Sequence, residues 1–317
     1  MRMLRYIAGP DCEGQDVNYV LRTCMGLSHA SVRRAKFVQG ALTLDGEPCW
    51  TVAKVSPGQE VAIAIDDQDV EGAAPSVAPQ EPVCGLLQIA YEDDDLLMVN
   101  KPAGLVMYPG PGHPEGTLGN YVMHHLASRG ISCGLHPVQR LDQGTSGLVV
   151  FATSSLAKDM LQRQLHTQRF QRGYVAVCEG VPSPAEGVID APWAQLSSHP
   201  NTFGVSAEGK PAVTHYRTLG SQDGVSAVAL RLETGRTHQI RIHMAHIGCP
   251  LVGDATYGCA DSAGAKSAID RPALHSFHIS LRHPFTGEDI SVQAPIPPDM
   301  QALLPEILSG DMQVVLP

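Results

Sequence analysis

The stretch VQRLDQGTSGLVVFATS, residues 138–154, decides how this chain folds. A lone acid, Asp142, follows an arginine and a leucine; a small polar turn comes next, then an apolar run. LVVFATS has the β-branched, apolar character of a buried strand, and Gly144, Thr145, Ser146 and Gly147 predict a tight turn leading into it. The hydroxyls and amides of that turn are expected to bond the Asp142 carboxylate. So placed, Asp142 is either a nucleophile or base, or a residue that only caps a turn. The three letters RLD do not choose between these.

Outward from this stretch, a helix with Leu156, Leu161 and Leu165 on its apolar side follows the strand. Strands are predicted at YVAVCEG, AVTHYRTLG and VSAVALRLETG, and a helix at THQIRIHMAHIG. Upstream, LLQIAYEDDDLLMVNKP reads as two strands around an acidic turn, and NKPAGLVMYPGPGHPEGTLGN as a Gly/Pro-rich loop that enters a helix at YVMHHLASRG. Strands outnumber helices and lie in adjacent runs. The expected class is therefore α+β, with a mixed, largely antiparallel sheet.

The 317 residues suffice for two domains, and 43% hydrophobic content supplies a core. The Ala/Pro-rich, acidic stretch DDQDVEGAAPSVAPQEPVCG, residues 66–85, has no periodicity and reads as an exposed linker. It separates a small unit, 14–65, from a larger one, 86–305. Apolar runs stop well short of the roughly 20 residues of a membrane helix, and the first residues have no signal-peptide core. Eight scattered cysteines without a CxxC pair suit reduced thiols. A cytoplasmic protein that does not engage membranes, acting as a monomer, is expected.

A net charge of −10 would by itself argue against a nucleic-acid partner. The acidity is concentrated, however. From Asp66 to Asp95 there are nine acidic residues and no Lys or Arg, so the units on either side are nearly neutral and either could present a basic face.

In the small unit, VNYVLRTCM and SHASVRRAKFVQG predict two helices, and ALTLDGEP and QEVAIAI two short strands. The pattern SxxxVRRAKFVQGxLTLDGEP resembles the αL RNA-binding domain first known from a ribosomal protein. The resemblance implies that Arg33, Arg34 and Lys36 meet RNA phosphates; without it, they would simply solvate a helix face.

The ordered set VNKPAGLVMYPG, QRLDQGTSGLVVFA, FQRGYVAVCEG, LETGRTHQIRIHMAHIGCPLVGDATYG and PALHSFHISLRHPFTGE resembles the RluA-type pseudouridine synthases across nearly all of residues 86–300. The resemblance implies an RNA uridine isomerase with a central cleft, acting on ribosomal RNA, with transfer RNA as the alternative, and working without cofactor or metal. It makes Asp142 the catalytic aspartate, which attacks either the uracil ring or the ribose carbon bearing it. Tyr174 becomes the tyrosine beside the target base and a candidate proton acceptor. Arg241 pairs with the aspartate, and a neighbouring arginine favours the charged form of a carboxylate and orients it. Arg140 fills the gap left by the extruded nucleotide. Two positions depart from the family pattern: Gln139 replaces a histidine and Arg172 a lysine, which puts substrate positioning in question more than chemistry.

Two rival readings remain at this level. A noncatalytic RNA-binding or ribosome-assembly protein could share the fold, but would not require Asp142, Tyr174 and Arg241 together. A metal-dependent hydrolase could use His238, His243 and His246, but spacings of five and three put them on no single helix face. The glycine-rich loop after Lys101 lacks GxxxxGK[ST] and reads as a border of the cleft. Thr237 is expected to cap the helix that carries Arg241.

Overall fold

The computed structural model describes residues 2–65, 77–131, 133–167, 169–196, 202–258, 269–308 and 316–317. Its larger part is a ten-stranded mixed sheet. The strands are β5 (Ile89–Glu92), β6 (Leu96–Lys101), β7 (His136–Pro137), β8 (Ser146–Ala152), β9 (Gln171–Glu179), β10 (Glu186–Asp190), β13 (Val213–Gln222), β14 (Val225–Leu232), β15 (Leu274–Arg282) and β16 (Asp289–Gln293). Their spatial order is β10-β13-β14-β9-β15-β8-β6-β5, with β16 beside β15 and β7 beside β8. Among the described residues the pairings are antiparallel except for β15 with β8.

The central strands are apolar at successive positions because both faces of the sheet are covered. In β6, Leu97 and Val99 join one core cluster while Leu96 and Met98 join another. In β8, Val149 and Phe151 face the first cluster, and Leu148, Val150 and Ala152 the second. The first face is closed by α3 (Leu118–Ser128) and α5 (Gln239–His246), the second by α4 (Ser155–His166). Side chains alternate along a strand, so Arg172 and Tyr174 of β9 project together on the α3/α5 side.

The parallel contact at the centre is tight. Gly147 adopts φ +110°, and a Cβ there would lie 2.2 Å from the Ser276 carbonyl oxygen, so only glycine lets β8 pass β15 at this point. The adjacent Ser146 hydroxyl meets Nδ1 of His275 at 2.9 Å, which partners a buried polar pair across the strands.

The N-terminal unit has strands β1 (Met3–Ile7), β2 (Leu42–Leu44), β3 (Glu47–Pro48) and β4 (Glu60–Ala64) in the order β1-β4-β2-β3. Its helices are α1 (Val17–Tyr19), continued by a π-helical turn at Val20–Cys24, and α2 (His29–Lys36), which Ser28 caps. β1 begins well before residue 14 and runs the length of β4, so the sheet extends further upstream than the sequence pattern indicated. Helix α2 packs on α4: Ser28, Ser31 and Arg34 all donate to the Asp159 carboxylate.

Of the stretch 66–85, residues 66–76 lie outside the described residues. The rest is not a free tether. Asn120 Nδ2 donates to Ala78 O at 2.8 Å, Gln80 N donates to Asn120 O at 3.1 Å, and Gly116 N donates to Gln80 Oε1 at 2.7 Å. It is strapped to the start of α3, where Thr117 and Asn120 form a capping box. None of the described helices is long and apolar enough to cross a membrane. Two short strands, β11 (Trp193–Gln195) and β12 (Phe203–Val205), form an arm beside α5, and the short helices α6 (Pro298–Gln301) and α7 (Pro305–Leu308) follow the sheet.

Candidate active site

The turn after Asp142 closes on its backbone: Thr145 N donates to the Asp142 carbonyl at 3.1 Å. The expected bonds from this turn to the carboxylate are not made. The side chain instead enters a cleft of about 540 Å³, where it is about a quarter exposed. A carboxylate spent on capping would be unavailable for chemistry; this one has its Oδ2 3.8 Å from Nη1 of Arg241 and 3.8 Å from Nε2 of His238. Asp142, Tyr174, Arg241 and Arg140, separated in sequence, all line this cleft.

Arg241 is aimed from behind. It is buried in α5, and its Nε and Nη2 donate to both oxygens of Asp254 at 2.7 Å each. Asp254 also accepts from the backbone of Thr256 and Tyr257. Burial pushes this carboxyl up, but the hydrogen bonds and charge of Arg241 prevail and hold it below the usual carboxylate range. Arg241 therefore has a bidentate partner in Asp254 and turns only its remaining nitrogen toward Asp142. The guanidinium also lies 5.0 Å from the Tyr257 ring centroid.

Helix α5 is not capped by Thr237. Its N-cap is His238, in the left-handed region at φ 57°, and the Thr237 hydroxyl instead accepts from Arg140 at 2.6 Å. A non-glycine residue held there carries strain of about 1 to 3 kcal/mol, to be offset by its surroundings. The surroundings are an aromatic row: Trp193 stacks on Phe203, Phe203 meets His238 edge-on, and His238 Nδ1 lies 3.0 Å from the Tyr257 hydroxyl. Burial lowers the His238 pKa against the pull of Asp142, so at neutral pH the imidazole is uncharged and Arg241 is the cation facing the carboxylate.

Tyr174 is buried on β9. Burial pushes its phenol up; the Arg172 guanidinium and a hydrogen bond with Ser276 pull down, and the Asp142 charge adds to the rise. It stands protonated at neutral pH. Arg172, the departure from the family's lysine, is buried with one long bond to Thr234 O at 3.4 Å, and its Nε has no partner among the described residues. Gln139, the other departure, spans the backbone of β8, donating to Leu148 O at 3.4 Å and accepting from Val150 N at 3.3 Å. It steadies the strand at the wall of the cleft, which it helps to line.

Lys101 was not singled out in the sequence, although it opens the NKPAG loop. It is fully buried, and its Nζ donates to the carbonyls of Pro102, Leu105 and Gln143 at 3.0, 3.0 and 3.1 Å. The loop is thereby pinned to the residue after Asp142. Burial pushes the Lys101 pKa down to about 7, with the Asp142 charge opposing. The folded value lies below the ordinary 10.5, so between these limits the unfolded chain binds more protons and unfolding free energy rises with pH. Lys101→Met is expected to abolish that rise between pH 7 and 9. Leaving three carbonyls unpaired should also cost about 3 kcal/mol or more and slow single turnover about 100-fold by displacing Asp142. Denaturant unfolding at the two pH values and single-turnover kinetics measure these effects, and an unchanged unfolding curve would refute the assignment.

Arg34 is drawn into the seam with α4, while Arg33 and Lys36 remain exposed. The three histidines of the metal reading go to separate partners: His238 to the cleft, His243 to Thr214 and the Ala191 carbonyl, and His246 to the exposed end of α5. A different trio, Asp93, Asp95 and His283, does converge. There Nδ1 of His283 accepts from the amides of Phe285 and Thr286, so Nε2 carries the proton toward the two carboxylates and offers no lone pair to a metal.

Among the described residues the cleft is lined by five cations, Arg140, Lys158, Arg172, Arg236 and Arg241, against two acids. One acid, Glu233, is bonded to His215. In a chain of net charge −10 this is a local electropositive site for an anionic substrate.

Solved structures share the architecture. A human RNA pseudouridylate synthase domain containing 4 aligns with a TM-score of 0.56 at 24% identity, covering 69% of this chain and 93% of that one. A human RNA pseudouridylate synthase domain containing 1 aligns with a TM-score of 0.55 at 27% identity, covering 70% and 90%. The fold is that of a pseudouridylate synthase domain. Residues 95–246 match the family RNA pseudouridylate synthase. A Bacillus subtilis (strain 168) protein, the uncharacterized RNA pseudouridine synthase YhcT, is 41% identical over 95% of this chain and 96% of its own length. The ribosomal large subunit pseudouridine synthase D of Escherichia coli (strain K12) is 39% identical over 82% of this chain and 80% of its own. The chain belongs to the RluA-type RNA pseudouridine synthases, and is an isomerase acting on RNA.

Proposed function

We propose that this enzyme isomerises uridine to pseudouridine in large-subunit ribosomal RNA, with Asp142 as nucleophile. The observation that carries the catalytic assignment is the Asp142 carboxylate, unbonded by its own turn and facing Arg241 at 3.8 Å inside the electropositive cleft. The bond between ribose C1′ and uracil N1 breaks, and one between C1′ and C5 forms. N1 gains a proton and C5 loses one, so the change is redox-neutral and consumes no second substrate. Asp142 holds the fragment that would otherwise diffuse, by bonding to either the ring or the ribose carbon. Arg241 keeps the carboxylate oriented, and Arg140 at the lip stands where the extruded nucleotide leaves its stack.

Tyr174, protonated at rest, gives its proton to N1 of the detached ring, and the phenolate so formed takes up the one from C5, which restores the phenol. Tyr174→Phe keeps the ring surface and removes the hydroxyl. It is expected to lower single-turnover rates by about 100-fold or more while RNA affinity stays within about threefold. Unchanged turnover would reduce Tyr174 to a packing residue.

The ribosomal target is supported by the relatives whose names give the large ribosomal subunit as their substrate. It implies work in the cytoplasm, and a cleft complete within one chain supports a monomer. The unit at 14–65, joined through 66–85 to the catalytic part at 86–305, is read as an αL-type RNA-binding domain contacting phosphates through Arg33 and Lys36. Mapping pseudouridine in ribosomal and transfer RNA with and without the gene tests the substrate. Loss of specific large-subunit sites is expected, and loss confined to transfer RNA would overturn the reading.

A further inference from the structure

A second concavity, of about 310 Å³, opens where Gly26 of the N-terminal unit meets the far side of α4 and the β15–β16 hairpin. Arg163, Arg169 and Arg282 line it with Gln164 and Phe285, and no acidic residue does so among the described residues. None of these arginines lines the catalytic cleft. Arg163 is half-buried, and burial together with the charge of Arg22 pushes its pKa down against the pull of Asp159. Asp159 does not neutralise it, being already engaged by Ser28, Ser31 and Arg34. Arg169 and Arg282 are exposed; Arg282 spends its Nε on the Gly287 carbonyl at 2.6 Å. Positive charge gathered in a hollow whose described lining holds no acid, on a chain this acidic, marks a site for an anion.

The placement of the hollow says which anion. Helix α4 is the ridge between the two concavities. Lys158, Gln162 and His166, four residues apart, face the catalytic cleft; Met160, Arg163 and Gln164 face the second hollow. The ridge is one helix wide, about 10 Å. A nucleic-acid strand with a phosphate roughly every 3.4 Å of duplex axis crosses that width in about three phosphates.

We propose that the hollow lined by Arg163, Arg169 and Arg282 binds the phosphate backbone of the same RNA whose uridine enters the cleft, so that the RNA straddles α4. The inference rests on the reading of the cleft as an RNA-isomerising site and adds a second, sequence-independent anchor to it. The anchor explains how a cleft that must extrude a nucleotide keeps hold of the flanking strand during extrusion.

The test measures the affinity of the full chain for a large-subunit ribosomal RNA fragment against salt, beside single-turnover rates at saturating RNA. For the variant carrying Arg163→Gln, Arg169→Gln and Arg282→Gln, the log-log salt slope is expected to fall by about 2 to 3, at roughly 0.7 to 0.9 per lost contact. Affinity near 0.15 M salt should weaken more than tenfold, with turnover of bound RNA within threefold of the parent. Arg169→Gln alone, at an exposed position that bears on no packing, should lower the slope by about one contact, and Arg282→Lys should leave it intact. An unchanged slope and affinity in the triple and single variants, with the parent active, would overturn this inference and leave the catalytic reading standing. A parent that forms no pseudouridine in ribosomal or transfer RNA would overturn the catalytic reading instead, while the slope still reports the anchor. Loss of inorganic phosphate or ATP binding with RNA affinity untouched would identify a small-anion pocket and also overturn the proposal.

Discussion

Asp142→Asn is expected to abolish pseudouridine formation, by on the order of 10⁴-fold or more, while the protein folds and binds RNA as the parent does. Asparagine conserves the volume and removes the charge, and with it the nucleophile. The structure makes this a clean experiment because the carboxylate carries little structural duty. The turn closes on the Asp142 carbonyl, which asparagine retains, and the nearest partners of the carboxylate, the Arg241 guanidinium and the His238 imidazole, stand at 3.8 Å. The stability change should therefore stay below about 1 kcal/mol. Single-turnover assays on target RNA, paired with denaturant unfolding and a binding titration, separate chemistry from folding. Turnover at a tenth of the parent rate would end the nucleophile assignment. An inactive variant that also fails to bind RNA would shift Asp142 from chemistry to substrate recognition.

How much of this could be read beforehand follows from what each residue answers to. β6, β8, β9 and β14 were legible because covering both faces of a sheet forces runs such as LLMV and LVVF, and no loop has that composition. β15 was not recognised as a strand, although it lies between β8 and β9 at the heart of the sheet. Its sequence LHSFHISLR breaks the apolar pattern with His275 and Ser276, and these are tolerated only because Ser146 and the Leu148 carbonyl are there to bond them. A polar residue satisfied by a partner more than a hundred positions away leaves no local trace. β1 was missed for the opposite reason: an edge strand with half-exposed residues need not alternate cleanly.

The site divides in the same way. Asp142, Tyr174 and Arg241 stood in motifs and were found together, whereas the groups that aim them were not. Lys101 announces nothing in sequence, because its role depends on three carbonyls converging from two loops. His238 was weighed as a metal ligand, yet its place is fixed by a left-handed backbone and an aromatic row contributed by β12 and by Tyr257. The net acidity of the chain is no guide to the site, as its concentration in one stretch of the sequence indicated. The stretch from Asp66 to Asp95 lowers the total, whereas among the described residues that line the cleft cations outnumber acids.

Arg241 appeared from its motif to be the partner of Asp142, but its two short bonds belong to Asp254, and the second large effect is expected there. Asp254→Ala should destabilise the fold by about 3 to 5 kcal/mol, the cost of stranding one member of a buried ion pair. Both partners are deeply buried, at 8% and 1% exposure, so little water is at hand to solvate the orphaned guanidinium. The pH dependence of this contribution has a definite sign. The folded carboxyl lies below its ordinary value of 3.8, so the stabilisation is complete above that value and fades as acid titrates the folded group below it. The parent and the variant should therefore converge in stability toward strongly acidic pH and differ fully at neutrality. Activity should fall by more than the unfolded fraction explains. Among the described residues the freed arginine has one acid left within reach, Asp142, and a bidentate grip there would hold the carboxylate away from the substrate. Asp254→Asn, which keeps the shape and one acceptor oxygen, should be intermediate on both counts. Unfolding at pH 7 and pH 3, with single turnover measured well below the melting temperature, reads all three expectations. If Asp254→Ala unfolds like the parent at neutral pH, the buried pair does not hold Arg241, and the positioning of the site must come from the Asp142 side of the cleft.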